Sequence, residues 1–254
     1  MEVEIKKLTF FFVNAYIIKG EKTVLFDTGG VLPPEELGGY LAQNGVDPKE
    51  IDLIIISHGH YDHCMLAKAW KELSGAKILC HKNAVEYLEA GTKENLFTYS
   101  QRAKDYQPMS WLIKMGGLPF APGMLTYQPY IDFMESTLPP PFPPVTPDIV
   151  IGDEDYDLHP YGIPGKLIYT PGHADSSLTL VLDNRIAFTA DNFLDLHTLQ
   201  CLECVYPEGT YSLNWICYDE ELLKDSVRKV LACADTYYPG HGPVYTRENI
   251  EGLV

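Results

Sequence analysis

From Ser57 to His63 the chain reads Ser-His-Gly-His-Tyr-Asp-His, which sets four side chains able to bind a metal within six residues. Neutral imidazole and carboxylate suit zinc and its first-row neighbours. Three His and one Asp on one tight stretch can serve two adjacent ions, so this stretch half-builds a dinuclear centre. The bland alternative is a polar surface loop, but a chain with eight His in all seldom crowds three of them this way. The remaining ligands must come from elsewhere, and three candidates sit where apolar runs end. Tyr169-Thr170-Pro171-Gly172 delivers His173, Phe188-Thr189-Ala190 delivers Asp191, and Tyr238-Pro239-Gly240 delivers His241 ahead of Gly242.

These residues need strands to carry them. Leu53-Ile54-Ile55-Ile56, bounded by polar residues, predicts a buried strand, with the His cluster on the loop leaving its end. That is where α/β sheets place their sites. Upstream, residues 8–18 and 23–26 flank Lys19-Gly20-Glu21-Lys22 and predict a hairpin. Asp27-Thr28-Gly29-Gly30 follows. Asp27 either braces the metal loop, accepting hydrogen bonds from its backbone or from a ligating His, or merely forms the turn. Pro33-Pro34 opens a helix with Leu37 and Leu41 on one face, and Gly45 closes it. A second helix over 65–73 starts where the metal loop stops. A strand over 76–80 and a helix over 83–90, capped by Gly91, continue the alternation. His81, just past that strand, is expected behind the ligands or at the surface rather than on a metal. Further strands are predicted over 148–151, 156–159, 166–170, 178–182, 186–190 and 236–238, with an amphipathic helix over 220–234.

Residues 92–147 break this regularity and hold ten of the nineteen prolines and four of the six methionines. The segment also carries Phe97, Tyr99, Tyr106, Trp111, Phe120 and Phe133, too apolar a set for a free linker. It is expected to be an insertion that either caps the metal site with an apolar pocket or forms a homodimer interface. The whole of 1–254 otherwise reads as one domain.

Composition narrows the partners. With 19 basic and 35 acidic residues the formal net charge is −16, which disfavours nucleic acid and anionic membranes, and no basic cluster offsets it. The short apolar run Phe10-Phe11-Phe12-Val13 is neither a signal peptide nor a membrane span. A cytoplasmic protein acting on a small molecule is expected, with Cys64, Cys80, Cys201, Cys204, Cys217 and Cys233 as reduced thiols. Cys201 and Cys204 form a lone CxxC with no partner pair.

Taken in order, Asp27-Thr28-Gly29, His58-x-His60-x-Asp62-His63, Pro171-Gly172-His173, Asp191 and Pro239-Gly240-His241-Gly242 resemble the metallo-β-lactamase fold superfamily, with its glyoxalase II-like and lactonase-like hydrolases. The resemblance spans residues 8–243 apart from the insertion. It implies a four-layer αβ/βα sandwich of two mixed sheets with the metals at one edge. It also implies that His58, His60 and His173 hold one ion, that Asp62, His63 and His241 hold the other, and that Asp191 bridges them. The implied cofactors are two divalent ions, zinc by expectation, with iron or manganese as alternatives. Two such ions carry four positive charges, and two aspartates with a hydroxide carry three negative ones, leaving about +1 to attract an oxyanion. Hydroxide would attack an ester, thioester or lactone carbonyl, and Asp62 or Asp191 would pass a proton to the leaving group.

Departures from the family pattern bear on substrate. Cys64-Met65 stands where many hydrolytic members have glycines, and Cys64 is expected to pack behind the ligands. With thirteen residues after His241, a C-terminal substrate domain of the glyoxalase II-like kind is not expected. Flavodiiron-type reductases resemble this pattern but carry Glu where His60 stands. The alternative readings are mononuclear-iron sulfur or oxygen chemistry and a non-catalytic metal-bound sensor.

Overall fold

The computed structural model describes residues 3–11, 13–30, 32–92, 142–195, 211–214, 217–250 and 252–254. One mixed sheet orders β1 (Glu4–Phe10), β2 (Val13–Lys19), β3 (Thr23–Phe26), β4 (Leu53–Ile55), β5 (Lys77–His81) and β6 (Ile149–Ile151). Its first three strands are antiparallel, and β3 through β6 run parallel. A second mixed sheet pairs β7 (Tyr156–Asp157), β8 (Gly165–Tyr169), β9 (Leu178–Leu182) and β10 (Ile186–Ala190) in that order. A small ribbon of β11 (Phe193–Asp195) and β12 (Tyr211–Leu213) lies outside it. The second sheet is completed by β13 (Thr236–Pro239), parallel to β10, and β14 (Tyr245–Thr246).

The layers follow from strand periodicity, since alternate side chains point to opposite faces. In β2, β3 and β4, Tyr16, Ile18, Val24, Phe26, Leu53 and Ile55 enter the core between the sheets, where they meet Leu167, Leu178, Leu180 and Phe188. Their neighbours Ile17, Leu25 and Ile54 face outward into a second core. That core is covered by α1 (Leu37–Gln43), a short α2 (Tyr61–Cys64), α3 (Ala67–Ser74) and α4 (Val85–Ala90), through Leu37, Leu41, Trp70 and Leu88. On the far side, Ile168, Val181 and Ala187 pack under α5 (Glu220–Cys233), whose Leu223, Val227 and Val230 lie on one face. Asp219 caps α5 by accepting from Leu222 N at 2.9 Å. The chain closes with α6 (Arg247–Ile250). Helices, sheet, sheet and helices make the αβ/βα sandwich.

Three expectations change, and one element is new. The strand over 8–18 is two strands, because the chain reverses at Phe11 with φ of 61° and leaves that ring 79% exposed. An unbroken apolar run with no Gly or Pro hides such a turn. Asp62 and His63 sit on the helical turn α2 rather than on open loop. His81 lies within β5, not past it, and is fully buried, stacked on Tyr169 at 4.3 Å and bonded to Asp153. The ribbon of β11 and β12 was not foreseen.

The cap or dimer expectation, like Cys201 and Cys204, falls on residues outside those described. The end of the insertion is within them: Phe142 and Val145 enter the outer core, and their amides donate to Gly91 O and Leu88 O at the end of α4. Cys64 is buried in that core, beside the ligands and in neither ligand group.

Candidate metal centre

All seven candidate ligands converge, and all are buried. His58 and His60 follow β4, Asp62 and His63 lie on α2, His173 follows β8, Asp191 follows β10 and His241 follows β13. Strand ends from both sheets therefore meet at one edge of the sandwich. His60 Nδ1 lies 3.0 Å from His58 Nε2 and 2.8 Å from His173 Nε2. Asp191 Oδ2 is 3.4 Å from His173 Nε2 and 3.2 Å from His241 Nε2, while its Oδ1 is 3.2 Å from His63 Nε2. Asp62 Oδ2 lies 3.4 Å from His241 Nε2 and 3.7 Å from His63 Nε2. Two donor groups result, His58, His60, His173 with Asp191, and Asp62, His63, His241.

This donor set fits metal ions. A tetrahedral site with bonds of about 2.0 Å has edges of about 3.3 Å, and the observed donor spacings scatter around that value. His63 Nε2 and Asp191 Oδ1 are buried with no hydrogen-bond partner, although each faces the cluster. An ion would satisfy both. His60 Nε2 is a third such atom, on the ring whose Nδ1 faces His58 and His173.

The surroundings hold the donors still. Asp27 accepts from Ser57 N at 2.8 Å and from Ser57 Oγ at 2.9 Å, and its Oδ2 lies 2.8 Å from His63 Nδ1. It thus braces both the loop backbone and a candidate ligand. Thr28 Oγ1 donates to His63 O, and Trp70 Nε1 to Thr28 O. Two residues with no sequence signal also act here. Asn14 Nδ2 donates to Pro239 O and Gly242 O, clamping both sides of the His241 loop. Ser176 Oγ accepts from Gly59 N. Both act across more than a hundred residues, where no local pattern reaches.

A profile described as the metallo-beta-lactamase superfamily matches residues 8–241. The chain belongs to that superfamily. Its members' metal-dependent hydrolytic chemistry matches the buried His and Asp set, and the protein is a metal-dependent hydrolase. A probable metallo-hydrolase of Methanocaldococcus jannaschii, MJ0888, is 23% identical over 92% of this chain and 89% of its own length. Among solved structures, the BLEG-1 B3 metallo-beta-lactamase superposes with a TM-score of 0.62 at 18% identity, covering 97% of this chain and 96% of that one. TTHA1623, in a di-iron-bound form, gives 0.59 at 17% identity, covering 98% of each. Both structures share the fold.

The superfamily site divides electrically. Burial pushes His58 and His60 well below the ordinary imidazole range, and adjoining imidazoles push further, so both offer lone pairs. At His63 burial acts downward too, but Asp191, Asp62 and Asp27 outweigh it and hold the ring well above that range. His241 is held up to about 10, chiefly by Asp191 against its own burial. Burial would raise Asp62 and Asp191, yet His63 and His241 pull both down. In chelator-stripped protein at neutral pH, below those raised values, His63 and His241 therefore carry protons that an incoming metal must displace. Loading is expected to release about two to three protons per chain at pH 7, two from these rings and the rest from ionised water. Calorimetry in buffers of different ionisation enthalpy measures this number directly, and a heat independent of buffer would contradict it.

Proposed function

We propose that this hydrolase uses two divalent ions to cleave an ester, thioester or lactone of a small molecule. The observation that carries the reading is the position of Asp191, whose oxygens face His173 of one donor group and His63 and His241 of the other. One carboxylate within reach of both groups supports a shared ligand, with His58, His60 and His173 on one ion and Asp62, His63 and His241 on the other. That arrangement favours two ions over the single-iron alternative. When bound, such a pair makes a nucleophile from water at neutral pH and polarises a carbonyl.

The chain's own residues do the rest. Asp62 and Asp191 offset half of the four positive charges, leaving a centre that still attracts an oxyanion. Their carboxylate oxygens are the groups able to take a proton and return it to a leaving group. The five His, neutral as ligands, add no charge. Zinc suits this nitrogen-rich set. Iron is the alternative that the di-iron-bound form of TTHA1623 supports, and manganese the third. The net charge of −16 supports a small-molecule substrate over nucleic acid. Among the described residues no helix is long and apolar enough to cross a membrane.

Protein purified without chelator should contain close to two metal ions per chain by elemental analysis. It should also hydrolyse at least one of a panel of aryl esters, thioesters and lactones, with the activity lost on chelation and restored by metal. A single ion that persists in metal excess would sink the two-ion reading.

A further inference from the structure

We propose that Ser57 and Asp27 form one relay that orients an imidazole in each donor group. Ser57 would then set the affinity of the His58, His60 and His173 site alone, and Asp27 that of both sites. Both are positioning residues, and the inference rests on the two-ion reading above.

Asp27 is buried at the turn after β3, with a backbone φ of 61° and its own amide bonded to Ile55 O at the end of β4. The turn aims its carboxylate beneath the His loop. Oδ1 is committed to Ser57 N, and Oδ2 is shared between Ser57 Oγ at 2.9 Å and His63 Nδ1 at 2.8 Å. Ser57 Oγ lies in turn 2.8 Å from His58 Nδ1. A hydroxyl has one proton to give. Donated to the Asp27 carboxylate, it leaves the Ser57 oxygen to accept from His58 Nδ1–H. The carboxylate likewise accepts from His63 Nδ1–H.

Both rings are thereby held in the tautomer whose Nε2 lone pair faces the cluster. His58 Nε2 is the atom beside His60 Nδ1, and His63 Nε2 the atom beside Asp191 Oδ1. The opposite hydrogen bond, from Ser57 Oγ to His58 Nδ1, would put a proton on His58 Nε2 and remove it from the ligand set. Asp27 thus touches one ligand of the second group directly and one ligand of the first only through a hydroxyl. Removing the hydroxyl should affect the two sites unequally. Loss of such an orienting partner costs about 10–100-fold in metal affinity.

Stripped wild type, Ser57→Ala and Asp27→Asn would be titrated with zinc against a chromophoric chelator, with circular dichroism as a control for folding. Anomalous scattering from crystals given one equivalent of zinc would locate the site that is lost. The expected result is one ion weakened about 10–100-fold in Ser57→Ala, at the His58, His60 and His173 position, and both weakened in Asp27→Asn. Equal weakening of both ions in Ser57→Ala, or none, overturns the relay. Proton NMR of zinc-loaded wild type tests it without a variant: His58 and His63 should each show an exchange-protected Nδ1–H resonance, and a missing His58 resonance overturns the relay as well. Wild type that binds one ion but shows both resonances would refute the two-ion function and leave the tautomer assignment standing.

Discussion

Asp191→Asn should lower kcat/KM for ester or lactone hydrolysis by about 10³-fold while leaving the circular dichroism spectrum unchanged. The size follows from what the carboxylate does at once. It faces His173, His63 and His241, all at 3.2 to 3.4 Å, so losing its charge would weaken the hold on both proposed ions and raise the net charge of the centre. Removing one preorganised electrostatic partner from such a site already costs about 10²–10³-fold, and in the proposed centre the partner would serve two ions. The fold should survive, because Asp191 follows β10 at the sandwich edge, whereas the core between the sheets is built from Phe188, Leu180 and their opposites in the first sheet. Steady-state kinetics with elemental analysis checks both parts. A fully active Asp191→Asn enzyme would contradict the shared-ligand role.

Gly240→Ala should abolish binding of at least one ion and depress the rate by about 10²-fold, through crowding alone. A Cβ at this position would lie 2.3 Å from Asp191 Oδ1 and 2.6 Å from His63 Cε1, well inside van der Waals contact. Backbone relief is blocked on two sides, since Gly240 N donates to Ala190 O and Gly240 O accepts from Asn14 N, each at 2.7 Å. The added methyl must therefore push on Asp191 or His63, both donors of the centre. Gly38→Ala makes the matching control: it lies on α1, a Cβ there meets nothing within 4 Å, and the change should stabilise the fold by about 0.5–1 kcal/mol without touching the ions. Metal content and thermal unfolding of the two variants, measured side by side, separate the effects. Full metal content in Gly240→Ala would show that the wall of the site can yield.

Much of the architecture was legible in residue patterns because strand burial has a local period. Leu178-Thr-Leu-Val-Leu182 and Ile186-Ala-Phe-Thr-Ala190 read as strands with the bounds the structure has. What escaped was irregular backbone. The reversal at Phe11 carries no Gly, Pro or Asn, so nothing marks its positive φ in advance. The α2 turn is four residues long, too short for a helical period to show. His81 looked like a strand-end residue, yet Tyr169 from the other sheet stacks on it and Asp153 bonds it, which only the packing of the two sheets reveals.

With Asp27 left between bracing the His loop and merely forming the turn, the sequence by itself determined the types of the candidate donors and their places at strand ends. These are consequences of local chemistry: His and Asp after apolar runs, Gly and Pro where the chain must turn. Only the tertiary structure decided that His60 offers Nδ1 while His58, His63 and His173 offer Nε2, that Asp191 faces both donor groups, and that Asn14 fastens the His241 loop from 225 residues away. The reason is that ring orientation depends on what stands behind each imidazole. Behind His58 and His63 stand Ser57 and Asp27, while Asp191 and the His241 loop reach them from the opposite sheet when Tyr16 and Phe26 pack against Phe188, a contact that no periodicity within either strand encodes.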